Sequence, residues 1–249
     1  MSGFLAGRRI VVTRDRPGEL ASLLTARGAT VVHVPLIEIA EPDDGGRELR
    51  AALAELDRYD WLIVTSAAGA ERVGAAARAH RDVRLAAVGT ATAATLAEHA
   101  GRPVELVPAI QIGVELGAEF VARSPAPQRV LVAHADRAKG DVVDILRRGG
   151  HSVTPVVAYR TLDRVPDRAD RAAVEGADAV AFASGSAVES WVAAFGTSTP
   201  PVAVAIGPAT ATVAERLGLK LAGVATDHSL TGLVQELERQ FASSSAAGW

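Results

Sequence analysis

Short runs of β-branched and other apolar residues, bounded by Gly, Pro or Asp, alternate along this chain with Ala- and Leu-rich stretches of helical length. That alternation predicts βα units on parallel sheets. The predicted strands are Arg9–Thr13, Thr30–Val34, Trp61–Thr65, Leu85–Val88, Val104–Val107, Val130–Ala133, Ser152–Ala158, Ala179–Ala183, Val202–Ile206 and Lys220–Val224. The predicted helices, which place apolar residues three and four apart, are Gly18–Arg27, Ala68–His80, Ala91–Ala100, Val114–Arg123, Gly140–Arg148, Ser186–Phe195, Ala209–Leu217 and Leu230–Phe241. Leu162–Asp170 reads as a polar connector, and the tail from residue 242 to 249 has the composition of a disordered linker.

The two halves of the chain resemble each other. Asp60-Trp-Leu-Ile-Val-Thr-Ser is echoed by Asp178-Ala-Val-Ala-Phe-Ala-Ser, and Ala87-Val-Gly-Thr-Ala-Thr by Ala205-Ile-Gly-Pro-Ala-Thr, both at an offset of 118. Arg9-Ile-Val-Val-Thr-Arg and Arg129-Val-Leu-Val-Ala-His continue the match at an offset of 120. Two motifs at one spacing point to copies of an ancestral unit, although βα units resemble one another in any case.

Composition narrows the chemistry. The 249 residues leave room for one large domain or two ordinary ones. The absence of cysteine removes disulfides, thiolate nucleophiles and Cys-ligated metals. A net charge of −3 and 4% aromatic content argue against nucleic acid as a partner. No apolar run is long enough to span a membrane, and the N-terminus lacks the h-region of a signal peptide, so a cytoplasmic protein is expected. Six histidines show no metal-binding spacing, and no metal site is expected. Neither GxGxxG nor GxxxxGK[ST] occurs.

Four predicted strand-to-helix turns are built from small and hydroxyl residues: Thr65-Ser66-Ala67, Gly89-Thr90-Ala91-Thr92, Ser184-Gly185-Ser186 and Gly207-Pro208-Ala209-Thr210. A helix N-terminus offers unpaired N–H groups and a partial positive charge, so each turn is either an ordinary N-cap or an anion site. Carboxylates are the expected anions, because the nucleotide-phosphate fingerprints are missing. Arg14, after Thr13 at the end of the first strand, is the best cation; Arg16, Arg137 and Lys139 stand in similar loops. Tyr59 reads as a core-edge aromatic. Tyr159 follows a strand and is either structural or a weak proton donor.

These residues, in order, resemble the uroporphyrinogen-III synthase family. The matching pieces run from Val11-Val-Thr-Arg14 through Pro35-Leu-Ile-Glu-Ile39, Asp60–Ser66, Ala87–Thr92, Val157-Ala-Tyr-Arg-Thr161, Phe182–Val188 and Ile206–Ala211 to Thr231-Gly-Leu-Val234. One departure is Ala183, where the family often has threonine. The resemblance implies two flavodoxin-like parallel-sheet α/β domains joined by two crossover strands, with the active-site cleft between them. One domain is then residues 1–35 with 161–249, and the other 36–160. The implied reaction cyclises hydroxymethylbilane to uroporphyrinogen III, with loss of water and inversion of ring D, without metal or organic cofactor. Tyr159 is then the acid that assists departure of the hydroxyl. The substrate's eight carboxylates give Thr13, Arg14 and the four turns a common purpose, with Thr92 and Thr210 in the cleft. A monomer is expected, with no partner beyond transient contact with neighbouring pathway enzymes. The competing reading is a non-catalytic two-domain sensor of a small anionic metabolite. A nucleotide-sugar or flavin enzyme on a flavodoxin-like sheet is a third.

Overall fold

The computed structural model describes residues 3–138 and 141–246; Lys139, Gly140 and the last three residues of the tail lie outside the described residues, as do Met1 and Ser2. The elements in chain order begin with β1 (Arg9–Val12), α1 (Gly18–Ala26), β2 (Thr30–His33), β3 (Ile37–Ala40), α2 (Arg47–Ala54) and a 3-10 turn at Leu56–Arg58. There follow β4 (Trp61–Val64), α3 (Ala67–Ala79), β5 (Arg84–Ala87), α4 (Thr90–Ala100), α5 (Gly113–Arg123), β6 (Arg129–Ala135), α6 (Asp141–Arg148) and β7 (Ser152–Asp163). The chain ends with α7 (Arg168–Glu175), β8 (Ala179–Phe182), α8 (Gly185–Phe195), β9 (Val202–Ala205), α9 (Pro208–Arg216), β10 (Gly223–Val224) and α10 (Leu230–Ala246). The protein is α/β, and its described residues form two sheets. No described helix is long and apolar enough to cross a membrane.

The chain divides into two compact units, Met1–Glu38 with Leu162–Trp249, and Ile39–Thr161. In the first unit five strands lie in the order β10-β9-β8-β1-β2, all parallel. Its central strands β1, β8 and β9 are buried on both faces, as a parallel sheet covered by helices requires, and the edge strands β2 and β10 are partly exposed. Ile10, Val12, Ala179 and Ala181 pack with Leu20 and Leu24 of α1 and Leu233 and Leu237 of α10. Val11, Val180 and Phe182 face the other way, onto Val188 and Trp191 of α8 and Ala214 of α9.

In the second unit the order is β3-β7-β6-β4-β5, with β7, β6, β4 and β5 mutually parallel. Leu62, Val64, Leu131 and Ala133 meet Val73 of α3 and Leu96 of α4. Trp61, Ile63, Val130 and Val132 meet Leu116 and Phe120 of α5 and Leu146 of α6. Each fully buried side chain of this size contributes about 1.5–3 kcal/mol of hydrophobic free energy.

The sequence repeat has a structural counterpart. The Asp178 carboxylate accepts the Arg9 N–H at 2.7 Å, and the Asp60 carboxylate accepts the Arg129 N–H at 2.8 Å. The reciprocal bonds, from the N–H of each aspartate to the carbonyl of its arginine, are both 2.8 Å. Each aspartate thus pins the start of one strand to its parallel neighbour, β8 to β1 and β4 to β6.

Four expectations need correcting. Val104–Val107 is not a strand: only Leu106 bridges to Ala86, because Pro103 and Pro108 flank so short a run. The connector is not irregular; β7 continues through Asp163, and α7 opens at Asp167, whose side chain and that of Asp170 form a reciprocal cap. Tyr159 therefore sits inside β7 and not at its end. Residues 242–246 belong to α10 rather than to a disordered tail: the anchored helix propagates through them, and the Ser243 hydroxyl donates to the Arg239 carbonyl.

Candidate functional site at the carboxyl ends of the strands

In a parallel sheet every strand delivers its following turn to the same edge, so local sequence decides what that edge presents. In the first unit the adjacent strands β1, β8 and β9 bring Thr13-Arg14, Ser184-Gly185-Ser186 and Gly207-Pro208-Ala209-Thr210 to that edge. Thr13 is 4% exposed; its carbonyl accepts the Leu36 N–H at 3.0 Å. The Arg14 carbonyl accepts a hydrogen bond from His33 Nε2 at 2.8 Å, whereas its guanidinium is exposed and has no ion-pair partner among the described residues. Arg16 and Arg137 are already engaged in interactions. The Ser184 hydroxyl accepts the Ala187 N–H at 3.2 Å and lies 3.0 Å from the Ser186 hydroxyl. It is an N-cap. Gly207 caps α9 with no side chain of its own, and Pro208 opens the helix.

In the second unit, β4 and β5 deliver Thr65-Ser66-Ala67 and Gly89-Thr90-Ala91-Thr92. The Thr65 N–H and hydroxyl both point at the Ala133 carbonyl, at 3.3 and 3.5 Å. The Ser66 hydroxyl accepts the Gly69 N–H at 3.1 Å, so this turn too is an N-cap. Gly89 is extended; a Cβ there would lie 2.5 Å from Gln111 Oε1. The same Oε1 accepts the Thr90 N–H at 2.9 Å and lies 3.3 Å from the Thr90 hydroxyl. Gln111 therefore occupies the N-terminus of α4.

The buried polar residues among those described are Thr13, Thr92, Thr210, His151 and Glu236. Two of the five have structural partners. Glu236 is held by Arg239 and Gln240, which keep its carboxyl below the usual range against the opposing effect of burial. His151 Nδ1 accepts the Gln128 N–H at 3.2 Å. The three threonine hydroxyls have no hydrogen-bond partner among the described residues, nor are they among the enclosed unpartnered polar atoms, so they reach the surface through otherwise buried side chains. Tyr159 shows the same combination. Its ring is 7% exposed in the core beside Val64 and Ala133, its carbonyl accepts the Asp136 N–H at 3.0 Å, and its phenol is neither bonded to a described residue nor sealed. No group of three or more His, Asp or Glu that could hold a metal occurs among the described residues.

The predicted turns are thus assembled at the sheet edges, but their hydroxyls divide into two kinds. Ser66 and Ser184 are used by their own helices. Thr13, Thr92 and Thr210 are not. Sequence reasoning missed Gln111 and His228, which stand over Gly89 and Gly207; a Cβ on Gly207 would meet His228 Cδ2 at 2.9 Å. Neither residue type signals such a role. Both lie between a short edge segment and the next helix, at matching places in the repeat.

The sequence model of the family described as "Uroporphyrinogen-III synthase HemD" matches residues 18–235, most of the chain. The chain belongs to this family. A relative named uroporphyrinogen-III synthase from Synechococcus elongatus is 28% identical, over 94% of this chain and 96% of its own length. A "Porphyrin biosynthesis protein HemD" from Ruminiclostridium josui is also 28% identical, and there this chain spans about half of the relative, 48%. Among solved structures, a mutant uroporphyrinogen III synthase from Thermus thermophilus aligns with a TM-score of 0.60 at 21% identity, over 96% of this chain and 100% of that one. The Helicobacter pylori uroporphyrinogen-III synthetase aligns at 0.63 and 16% identity, covering 92% and 97%. At these identities the structures bear on the fold, and the family rests on the sequence.

Proposed function

We propose that this member of the uroporphyrinogen-III synthase family cyclises hydroxymethylbilane to uroporphyrinogen III, with loss of water and inversion of ring D. The observation that carries the reading is the set of three buried threonines, Thr13, Thr92 and Thr210, at the carboxyl ends of strands in each unit, whose hydroxyls have no partner among the described residues and are not enclosed. Each of these hydroxyls opens to the surface from an otherwise buried side chain, so it is held in place by packing and free to hydrogen-bond a ligand. Helix N-termini in each unit and, in the first, the Arg14 guanidinium, which has no ion-pair partner among the described residues, suit the substrate's carboxylates.

Tyr159 is the proton donor. Its phenol gives a proton to the terminal hydroxyl of the bilane as the C–O bond breaks, releasing water and leaving an azafulvene cation. Attack by ring D forms a spiro intermediate; its rearrangement and the loss of a proton from carbon close the macrocycle and balance the proton first donated. Much of this reactivity belongs to the pyrroles. The protein's task is to hold the chain so that closure follows inversion, a matter of positioning.

We further read the enzyme as a cytoplasmic monomer that needs no cofactor. The test is direct. Hydroxymethylbilane generated in the assay should give mainly the III isomer when the protein is present, and the spontaneous I isomer when it is absent. An unchanged isomer ratio overturns the proposal.

A further inference from the structure

The four turns differ in what already fills them. Ser66 and Ser184 turn their hydroxyls onto the N–H groups of their own helices, and Gln111 Oε1 takes the first donor of α4. The N-terminus of α9, a nine-residue helix, has no side-chain cap. Pro208 carries no N–H, so the unpaired donors there are the N–H groups of Ala209 and Thr210. Beside them is the Thr210 hydroxyl, on a side chain 4% exposed, with no partner among the described residues and not sealed from solvent. This hydroxyl, fixed by a buried side chain and open to solvent, is available to a ligand together with the uncapped backbone donors.

His228 adds a fourth group. It lies in the loop between β10 and α10, and its ring stands over Gly207: a Cβ placed on that glycine would be 2.9 Å from Cδ2 and 3.5 Å from Nε2. Cγ is 3.1 Å from the same point, so the Cδ2–Cγ side of the ring lies against the glycine and Nε2 stands next to it, at the turn. The ring is exposed and makes no hydrogen bond to a described residue. Its neighbour Asp227 is engaged by the Ser229 hydroxyl at 2.7 Å, and Ser229 in turn accepts the Gly232 N–H at 3.0 Å, which anchors the loop to α10.

We infer that His228 is a substrate-binding residue, donating from Nε2 to a carboxylate seated on the N-terminus of α9 and making that turn the main carboxylate subsite of its unit. The inference rests on the cyclase reading for the identity of the carboxylate's owner. It also separates the two copies of the repeat: the Gly207 turn takes an external carboxylate, whereas the Gly89 turn holds an internal amide.

The experiment titrates the wild type, His228→Ala and His228→Gln with uroporphyrin III, an oxidised octacarboxylate product that fluoresces and binds without turnover, and records each protein's melting midpoint. Removal of a hydrogen bond to a charged group weakens binding by about ten- to a hundred-fold. His228→Ala should show that rise in Kd with an unchanged melting midpoint, and His228→Gln, which keeps an N–H donor, should recover most of the loss. A Kd within about two-fold of wild type in His228→Ala overturns the inference. So does equal weakening in both variants with a lowered melting midpoint, which marks a structural role, or failure of the wild type to bind the probe. The isomer assay judges the cyclase reading separately: a wild type that binds uroporphyrin III through His228 but leaves the I isomer dominant refutes cyclisation and leaves the subsite standing.

Discussion

Tyr159→Phe tests the proposed proton donor at little expected cost in stability. The substitution removes one oxygen and leaves the ring among Val64, Ala133 and Val156, where it is 7% exposed. The phenol makes no hydrogen bond to a described residue, so no partner is orphaned. The expected change in stability is within about 0.5 kcal/mol, or roughly 2 °C in the melting midpoint for a chain of this size. Tyr159→Ala, by contrast, empties the site and should cost about 3–5 kcal/mol. If the phenol is the proton donor to the departing hydroxyl, Tyr159→Phe lowers the initial rate of III-isomer formation by about ten- to a hundred-fold, equivalent to about 1.4–2.7 kcal/mol of barrier. The measurement is the rate of uroporphyrinogen III production from hydroxymethylbilane, with isomers resolved by chromatography, beside a melting curve. A variant with the wild-type rate refutes the proton-donor role, and one that loses several degrees shows that the phenol holds the fold together.

Two further outcomes follow from the geometry. Burial pushes the His151 imidazole below its ordinary value of 6.5, so the folded state favours the neutral ring. A lowered folded pKa makes the stability it contributes complete above about pH 6.5 and lost as pH falls below it; melting midpoints between pH 8 and 5 should fall more steeply for the wild type than for His151→Leu, and parallel curves would count against the account. Asp60→Ala and Asp178→Ala remove the same bond, a carboxylate accepting the first N–H of a neighbouring strand, and each should cost about 1.5–3 kcal/mol by denaturant titration. Markedly unequal costs would show that the repeat is one of sequence and not of structure.

The strands were legible because a parallel sheet buries both faces and writes itself as uninterrupted apolar runs: every residue of β4, β8 and β9 is buried. What was missed lacks that signal. β3 is a half-exposed edge strand, Ile37-Glu-Ile-Ala. α2 and α7 are highly charged; α7 buries none of its residues and is held by the reciprocal cap of Asp167 and Asp170. The extension of β7 was hidden because Arg160, Thr161 and Asp163 look like loop residues. They are kept in the strand by contacts distant in sequence, among them Arg160 to the Glu41 carbonyl and the Thr161 N–H to Asp136.

The site was legible to the extent that it repeats. Thr92 and Thr210, in matching Gly-x-Ala-Thr turns, are both buried with free hydroxyls, and the serine turns match as well, both being N-caps. The residues that distinguish the copies, Gln111 and His228, could not be read, because what makes them notable is the atom each holds against a glycine. The repeat also misleads about boundaries. Asp178 in the second half of the chain bonds Arg9 in the first, and Asp60 in the first half bonds Arg129 in the second. Each unit is therefore completed by strands from both halves: β1 and β2 join β8, β9 and β10, while β4 and β5 join β6 and β7. Neither half contains a whole sheet, so a cut near residue 125, where the repeat alone would divide the chain, should give two fragments that do not fold separately. A cut that respects the sheets would have to release residues 39–161 as one piece.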